Sequence, residues 1–497
     1  MINGSGLSVR RIRFKDIFTL GCFGALAWFF NVASVRGQEP LDSQTIAGYR
    51  GIWFSLGQFY EYGDKYSGGL GTYTAKHRPL AIYAPEVEKT FFVYGGTPDK
   101  EQKRLLCMIG YYDHKTHRVP QPRVVVDKLE VNDPHDDPSL AIDGDGYLWV
   151  FVSGRARHRP GFKYRSDKPY NIDSFSRVTE EELTYPQPVW DENAGFFHFF
   201  TKYTGVRELY FETSDDGFAW SEDRKLAGIV EPGATKSGHY QVSDQREGLV
   251  CTFFNRHPNG VVDQRTDLYY AQSKDRGETW TTADGQPLEL PLTKVDCGAR
   301  VIDYASQRKN VYLKDLNFDE NGYPICLYIV SDGHEPGPDN GPREWLVTRW
   351  DGRGWKTDQV CISDHNYDMG SLYIEDSQWV VIGPTDPGPQ VHQAGGEMVR
   401  WVSRDKGATW KRENQITRKS PRNHNYARRP VNAKDPFYVF WADGDPTSFS
   451  ESILYFSNSD GTKVYELPYK MDAEFVKPRL LGRLYSRFIR SLFGDGK

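Results

Sequence analysis

Six polar loops of the sequence combine histidine, arginine, tyrosine and asparagine, the side chains that bind anions and transfer protons. Arginine and histidine pair with carboxylates and sulfates through directed hydrogen bonds, and aromatic rings offer a flat face to a sugar. A lone histidine in such a loop is more often structural, but six loops of this composition exceed what packing requires. The loops are Asn132–Pro138, Arg155–Pro160, Gly238–Tyr240, Asn255–His257, Asp364–Asp368 and Asn423–Arg429. Together they predict a site for an acidic carbohydrate.

These residue types suit elimination from a uronate better than hydrolysis of a glycoside. Hydrolysis usually needs two carboxylic acids beside the bond, whereas the aspartates and glutamates of this chain fall mostly in turns. Elimination needs a cation for the uronate carboxylate, a base for the C5 proton and an acid for the leaving oxygen. A tyrosine can be that base where an adjacent arginine lowers its pKa. His239-Tyr240 and Asn255-Arg256-His257, on successive predicted strand ends, offer this combination.

The sequence has no pattern typical of a metal centre. The spaced pairs His-x-x-x-His and His-Glu-x-x-His of zinc sites are absent. Loop carboxylates and carbonyls leave open a structural Ca²⁺, and we expect the reaction to require no cofactor.

Short β-strands must position these loops. Apolar runs rich in β-branched and aromatic residues alternate with clusters of Gly, Asp, Asn and Pro, and no long stretch of the body has helical periodicity. Regularly spaced short strands of this kind predict a sandwich, a barrel or a propeller. The clearest runs are Thr90–Tyr94, Tyr147–Val152, Phe196–Tyr203, Val250–Phe254, Leu268–Ala271, Ile325–Val330, Trp379–Ile382 and Phe437–Trp441.

A repeated turn favours the propeller. Ser273–Trp280 matches the Asp-box pattern S-x-D-x-G-x-T-W, Ser403–Trp410 repeats it, and Thr213–Trp220 is a degenerate copy with Asp215 as its aspartate. The three copies begin 60 and then 130 residues apart, which is one interval followed by about two. A second turn pattern occurs at Asp143–Tyr147 and Asp319–Tyr323. A period of about 60 residues is typical of propeller blades, so the body predicts about seven four-stranded antiparallel blades, with six as the alternative.

Composition limits the class of protein. The chain has 497 residues, a net charge of −5, 38% hydrophobic residues, 14% aromatic residues and a mean hydropathy of −0.64. These values indicate a water-soluble globular protein and exclude a multi-span membrane protein and a disordered chain. The five cysteines after residue 37 are widely spaced, so we expect neither a disulfide framework nor a paired-cysteine zinc site, and two bridges at most.

The charge and hydrophobicity patterns divide the chain into three regions. Residues 1–37 have the basic, apolar and small-residue order of a cleaved signal for secretion or periplasmic export, by the Sec route or, given Arg10-Arg11, the twin-arginine route. A single membrane anchor is the alternative. Residues 44–470 form the predicted propeller. Residues 471–497 have leucines and arginines at helical spacing and predict a basic amphipathic helix, either docked on the propeller or in contact with a membrane surface.

The mature chain is acidic, which limits its partners. Removal of residues 1–37 leaves a net charge of −9, because five basic residues and one acidic residue are lost. A chain of this charge does not bind nucleic acid through a global positive field. We expect a monomer whose partner is an acidic polysaccharide.

Several segments resemble a known group, the secreted BNR-repeat (Asp-box) seven-bladed propellers that include ulvan lyases and enzymes of rhamnosyl-glucuronate linkages. The similarity covers nearly the whole body. Its residues are Gly48–Phe54, Gly68–Tyr73, Asp133–Asp136, Arg159–Ser166, Gly238–Gln241 and Ser363–Gly370.

The resemblance implies roles for particular residues. Ulvan lyases use two histidines, a tyrosine and an arginine, which match His135, His158, Tyr240 and Arg256 here. Tyr240 would be the base and also the acid, Arg256 the group that neutralises the carboxylate, and His135 an assisting base or neutraliser. The further expected substrate-binding residues are Arg157, Arg165, His239, Asn255, His365, Asn366, Tyr367, His424 and Arg428.

These observations lead to one leading hypothesis and three alternatives. The leading one is a secreted polysaccharide lyase acting on a uronate-containing polysaccharide of the rhamnose-rich, sulfated kind. The alternatives are a glycoside hydrolase of the same fold that releases rhamnose from glucuronate, and a propeller that binds carbohydrate without catalysis. A sialidase is disfavoured because its Arg-Ile-Pro start motif is absent.

Overall fold

Residues 39–481 are described by a computed structural model, and they form an all-β protein. Helix in this range is confined to four 3₁₀ turns, Pro134–Asp136, Pro258–Gly260, Val262–Gln264 and Pro338–Asn340. None of them has the length or the apolar character needed to cross a membrane. The predicted signal segment 1–37 lies outside the described residues.

Antiparallel four-stranded groups, which we call sheets 1 to 7, follow one another along the chain. The strands of sheet 1 are Ala81–Ala84, Lys89–Gly96, Leu106–Asp113 and Arg123–Asp127. The strands of sheet 2 are Pro138–Ile142, Leu148–Val152, Gly161–Ser166 and Phe175–Glu181. The strands of sheet 3 are Thr184–Asp191, Gly195–Lys202, Glu208–Ser214 and Arg224–Ala227. The strands of sheet 4 are Gln241–Arg246, Leu249–Arg256, Thr266–Ser273 and Trp280–Thr281, and Pro287–Leu288 and Arg300–Ile302 also pair with this sheet. The strands of sheet 5 are Asn310–Phe318, Pro324–Ser331, Arg343–Trp350 and Trp355–Ser363.

The last two groups are joined. The strands of sheet 6 are Ser371–Glu375, Gln378–Pro387, Gly396–Ser403 and Lys411–Gln415, and those of sheet 7 are Asn423–Arg428, Val439–Gly444, Leu454–Ser457 and Val464–Glu466. One residue pair, Gly396 with His424, connects the two groups in a single nine-stranded sheet. The seven-blade count therefore stays a prediction, although the four-stranded unit occurs seven times.

Hydrophobic cores form between consecutive sheets, which explains why many strands are apolar on both faces. Leu148–Val152 is buried throughout because sheet 2 is covered by its neighbours on both sides. The ring closes where sheet 1 meets sheet 7: the ring of Phe92 lies 5.2 Å from those of Phe437 and Phe440, centre to centre. This closed circle of packed sheets is the propeller predicted from the spacing of the turns.

Short strands outside the seven groups connect the two ends of the described chain. Gly51–Ser55 pairs with Ser450–Ser452 on one side and with Ser67–Gly69 on the other. The remaining short strands are Phe59–Tyr60, Gly63–Asp64, Val119–Pro120, Phe475–Val476 and Arg479–Leu480.

The two complete copies of the repeated turn have matching hydrogen bonds. In the first, Gly277 N donates to Ser273 Oγ over 2.8 Å and Thr279 N donates to Asp275 Oδ1 over 2.9 Å. The turn at Ser403–Trp410 has the same two bonds at the same lengths. Each turn also has a glycine with a φ of +83°, a conformation that disfavours residues with a Cβ.

The degenerate copy differs from the prediction by one position. Asp216, rather than Asp215, accepts from the backbone N–H groups of Phe218 and Ala219. The strand continues through Ser214, so Ser214 takes the first position of the turn and one residue fewer precedes Gly217. Asp215 instead forms an ion pair with Arg276 on the surface.

The helix predicted for 471–497 is wrong over its described part. Phe475–Val476 pairs with Val119–Pro120, and Arg479–Leu480 pairs with the edge strand of sheet 7. Pro478 disfavours a helical conformation at the residue before it, and sheet edges offer unpaired backbone groups. Residues 482–497 lie outside the described residues. The five cysteines in the described range are free thiols, so no disulfide forms there.

Candidate active site

One pocket lies where the first strands of the sheets converge. The first strands of neighbouring sheets contact each other, so they surround the axis of the ring. Residues within or just before six of these strands line the pocket, together with residues 65–66 and 73–76. In chain order these six are His135, Tyr185, Tyr240, Tyr312, Tyr367 and Tyr426.

The lining is rich in cations and phenols. Six basic side chains line it, namely Lys65, Lys76, Arg155, Arg207, Arg265 and Lys314. No aspartate or glutamate is among the described residues that line it. The pocket therefore suits an anion and lacks the two carboxylic acids that glycoside hydrolysis usually requires.

Tyr240 is surrounded by positive charge. The centre of its ring lies 5.0 Å from Cζ of Arg265, 5.9 Å from Cζ of Arg207 and 5.1 Å from Nζ of Lys76. Burial alone would raise the pKa of Tyr240. The charges of Arg207 and Arg265, a hydrogen bond with Tyr185 and the charge of Arg155 together lower that pKa below the ordinary tyrosine value. Burial raises the pKa of the neighbouring Tyr66 to about 12.

Asn255 holds the backbone that carries Tyr240. Its Oδ1 accepts from Tyr240 N over 3.0 Å, and its Nδ2 donates to the carbonyl of Val311 over 2.9 Å. Asn255 is fully buried and bridges the first strands of sheets 4 and 5. Tyr240 is thus held in place by the scaffold itself.

Asp133 orients His135 and Arg155. Its Oδ1 accepts from His135 N over 3.0 Å and lies 2.5 Å from His135 Nδ1. Its Oδ2 accepts from Arg155 Nη1 over 2.7 Å and from Arg159 Nη2 over 2.8 Å. With Nδ1 donating to the carboxylate, Nε2 of His135 becomes the proton acceptor. The His135 ring lies 5.9 Å from that of Tyr185, which in turn lies 5.7 Å from Tyr240.

Two lysines in the lining contact backbone carbonyls. Lys76 Nζ donates to the carbonyl of Leu313 over 3.3 Å, and Lys314 Nζ donates to that of Asn366 over 2.7 Å. Burial, together with the charge of Arg265, lowers the pKa of Lys314 to about 7. A bound anion would favour the charged form of both lysines.

Arg256 lies outside the pocket lining, unlike Tyr240. Its Nε lies 2.7 Å from Asp267 Oδ2 and its Nη1 lies 2.6 Å from Glu231 Oε1. Its charge is balanced by these two carboxylates. The cations beside Tyr240 are instead Arg207, Arg265 and Lys76, which the sequence did not single out and which form no ion pair with a carboxylate of the described residues.

The residues predicted on the Arg155–Ser166 segment are also outside the lining. His158 is exposed, and the side chain of Arg157 is 91% exposed with one weak contact to Glu182. Arg165 stacks on Tyr147, with its Cζ 3.3 Å from the ring centre. Of this loop only Arg155, its first residue, lines the pocket.

Most of the other predicted binding residues support the walls. His239 accepts from Ile229 N and donates to the Asn255 carbonyl. His424 accepts from the indole of Trp441, and Arg428 donates to the Thr72 carbonyl. His365 and Asn366 also bind backbone groups: His365 accepts from Tyr367 N, and Asn366 donates to the Gly333 carbonyl. Tyr367 itself lines the pocket, as His135 and Tyr240 do.

Three carboxylates elsewhere are close enough together to suggest a metal ligand set: Glu181, Glu212 and Asp223. The ammonium of Lys163 lies 2.7 Å from Glu181 and 2.8 Å from Glu212. A lysine there already supplies the positive charge that a cation would bring, so the cluster is satisfied without a metal.

The model of the BNR repeat-containing family matches residues 101–362, more than half of the chain. An ulvan lyase from Alteromonas sp. (strain LOR) is 21% identical over 57% of this chain and 65% of its own length. One from Pseudoalteromonas sp. (strain PLSV) is 20% identical over 54% and 63%. The matched region thus spans less than two thirds of either curated relative.

Solved structures resemble a larger part of the chain. An ulvan lyase of the PL25 polysaccharide lyases, bound to -[GlcA(1-4)Rha3S]-, has a TM-score of 0.66 and 16% identity, covering 89% of this chain and 99% of its own. A second structure of that type has a TM-score of 0.65 and 17% identity over the same shares. At this identity the likeness establishes the fold.

Proposed function

We propose that this chain, which belongs to the BNR repeat-containing family, is a polysaccharide lyase that cleaves a uronate-containing polysaccharide by β-elimination. The observation that carries the proposal is Tyr240, a half-buried phenol in the pocket lining whose pKa is lowered by Arg207 and Arg265. Such a group is a suitable base for a carbon acid, because more of it is phenolate near neutral pH. The substrate class is supported by the ulvan lyases that the chain resembles.

In the proposed reaction the cations beside Tyr240 bind the uronate carboxylate. Arg207 and Arg265 neutralise it, so that charge developing on the carboxylate when the C5 proton leaves is stabilised. Arg207 and Arg265 take the role that the resemblance assigned to Arg256, whose charge Asp267 and Glu231 balance.

Proton transfer follows from the same arrangement. The Tyr240 phenolate takes the C5 proton, the electron pair forms the C4–C5 double bond, and the bond from C4 to the leaving oxygen breaks. Tyr240, now protonated, returns the proton to the leaving oxygen. His135 is the assisting base, with its tautomer fixed by Asp133.

The pocket supports hydrolysis less well than it supports elimination. A hydrolase of the common type places two carboxyl groups across the bond, and no carboxylate is among the described lining residues. Binding without catalysis does not account for a tyrosine that the scaffold holds beside Arg207 and Arg265. Secretion or periplasmic export remains part of the proposal, supported by the pattern of residues 1–37.

The test is an activity assay on uronate polysaccharides, beginning with ulvan. We expect the unsaturated uronate product to be seen by its ultraviolet absorbance, and Tyr240→Phe to reduce kcat at least a hundredfold, in the range of a lost general base (~10²–10⁴). Tyr323→Phe, in a turn remote from the pocket, is the matched control and should keep full activity. Full activity of Tyr240→Phe would refute the assignment of the base.

A further inference from the structure

The segment before Lys65 forms a small hairpin that leaves an aromatic ring uncovered. Phe59–Tyr60 pairs with Gly63–Asp64, and we call residues 59–64 the rim hairpin. Phe59 is 60% exposed, which is more than the other large hydrophobic side chains of the described chain. Single exposed apolar residues are common on protein surfaces. Whether Phe59 has a role in binding therefore depends on its surroundings.

The rim hairpin is fixed at its base. The buried carboxylate of Asp64 accepts from Ser55 Oγ over 2.6 Å, from Leu56 N over 2.7 Å and from Gln58 N over 2.9 Å. These bonds order the backbone on both sides of Phe59. Its ring is therefore presented by a rigid support, which reduces the entropy lost when a ligand binds.

Loops from several sheets hold the other side chains of the rim hairpin. The hydroxyl of Tyr60 lies 3.2 Å from Nε2 of His334, in the loop within sheet 5. The ring of Tyr62 lies edge-on to His392, in a loop of sheet 6, at 5.6 Å. Each aromatic side chain of the hairpin except Phe59 thus has a partner in the protein.

The rim hairpin adjoins the pocket. Gln58, next to Phe59, donates from Nε2 to the hydroxyl of Tyr66 over 3.3 Å. Tyr66 lines the pocket and stacks on Tyr367 at 5.0 Å. Lys65, also in the lining, pairs with Asp263 at 2.9 Å. The rim hairpin therefore adjoins the pocket through Gln58, Lys65 and Tyr66, and Phe59 is the residue that follows Gln58.

We infer that Phe59 is a binding subsite for a sugar ring of the polysaccharide, next to the residue held in the pocket. This inference rests on the proposed function. A pyranose has an apolar C–H face that can cover a phenyl ring, and the pocket supplies charges for the uronate itself. The ring of Phe59 thus contacts an uncharged face of one sugar of the substrate. This contact strengthens binding without taking part in bond cleavage.

The chain offers a matched control. Phe218 is 55% exposed, in the degenerate turn of sheet 3, where its ring lies 5.6 Å from Trp149 and away from the pocket. Phe59→Ala, Phe59→Trp and Phe218→Ala are compared in steady-state kinetics on polymeric ulvan and on the shortest ulvan oligosaccharide that is cleaved. We expect Phe59→Ala to raise KM for the polymer about fivefold with kcat unchanged. Phe59→Trp should restore KM, and Phe218→Ala should match the unmodified protein.

Outcomes for the inference and for the proposed function are separable. An unchanged KM for Phe59→Ala in an active enzyme overturns the subsite and leaves the lyase in place. If the unmodified protein forms no product, the lyase proposal fails, and gel retardation in ulvan then tests the subsite. Retardation that is weakened by Phe59→Ala and kept by Phe218→Ala supports it. Equal retardation of both variants, or none for the unmodified protein, overturns it.

Discussion

Tyr240 lies where two arginines and a lysine approach its ring within 6 Å, in a lining without described carboxylates. Arginine stays charged over the whole range in which proteins are stable. The charges of Arg207 and Arg265 therefore lower the pKa of Tyr240 throughout the pH range in which the pocket is folded. This separates Tyr240 from the other pocket tyrosines that carry a raised pKa, among them Tyr185 and Tyr367.

Replacing Arg207 should change both the rate and its pH dependence. In the unmodified enzyme kcat/KM should rise with pH as Tyr240 loses its proton. Arg207→Gln removes a charge that lowers this pKa, so the rising limb should move to higher pH, and kcat at neutral pH should fall roughly a hundredfold. Arg157→Gln, at an exposed arginine, is the control for loss of charge. An unshifted pH profile for Arg207→Gln would contradict the assigned origin of the pKa.

Asp133 is expected to act through His135 and Arg155. Asp133→Asn keeps the size of the side chain but removes the carboxylate that holds His135 Nδ1 and Arg155 Nη1. We expect kcat to fall about tenfold to a hundredfold, as for other residues that orient a functional group, with a changed pH profile and little change in thermal stability. Asp145→Asn, in an exposed turn, is the control. A large loss of stability with an unchanged pH profile would indicate a purely structural role.

The sequence indicated some of the pocket residues and missed others. His135 and Tyr240 lie in loops whose unusual composition can be recognised from the sequence alone, and both line the pocket. Arg207 and Arg265 stand alone in the sequence, and only the closing of the ring brings them to Tyr240. Arg256 lies close to Tyr240 in sequence, but whether it has carboxylate partners depends on Glu231 and Asp267, which adjoin it only in the folded sheet.

At the scale of elements, the turns and strands were the more predictable part, because alternation, β-branched residues and turn glycines are local signals. The one-residue difference in the degenerate turn depends on where the strand ends, which is at Ser214. The helix predicted from the apolar spacing of 471–497 is wrong at residues 475–480, because pairing with two existing sheet edges decides the fold at Phe475 and Leu480.

The turn glycines allow backbone strain to be distinguished from steric clash. Gly277 and Gly285 have φ values of +83° and +85°. A Cβ on Gly277 would lie 2.5 Å from Phe211, whereas one on Gly285 would have no neighbour within 4 Å. We expect Gly285→Ala to lower the free energy of unfolding by about 1 kcal/mol and Gly277→Ala by about 3 kcal/mol, measured by urea denaturation. Equal losses would contradict a role for the contact with Phe211.

At the scale of the whole molecule, the site depends on the circle being closed. Its lining comes from six sheets and from the segment before sheet 1, so no fragment of the chain contains it. The closure between sheets 1 and 7 depends on the packing of Phe92 with Phe437 and Phe440, in a core that also contains Phe456. A ring of this kind is expected to lose the site when the closure fails.

Truncating Phe437 tests this dependence. Phe437→Ala removes a fully buried ring and should lower the free energy of unfolding by about 3–5 kcal/mol, with activity lost in the same thermal transition as the secondary structure. Phe475→Ala, at a side chain that is 39% exposed, should change stability by less than about 1 kcal/mol. Activity that is lost well below the unfolding transition of Phe437→Ala would show that the pocket does not need the closed ring.

Mass spectrometry of the products formed from ulvan in water labelled with heavy oxygen distinguishes elimination from hydrolysis. Elimination breaks the bond without adding water, so we expect new ends that are unsaturated, lighter by one water than hydrolysis products and free of label. Saturated products that carry the label from the solvent would contradict it.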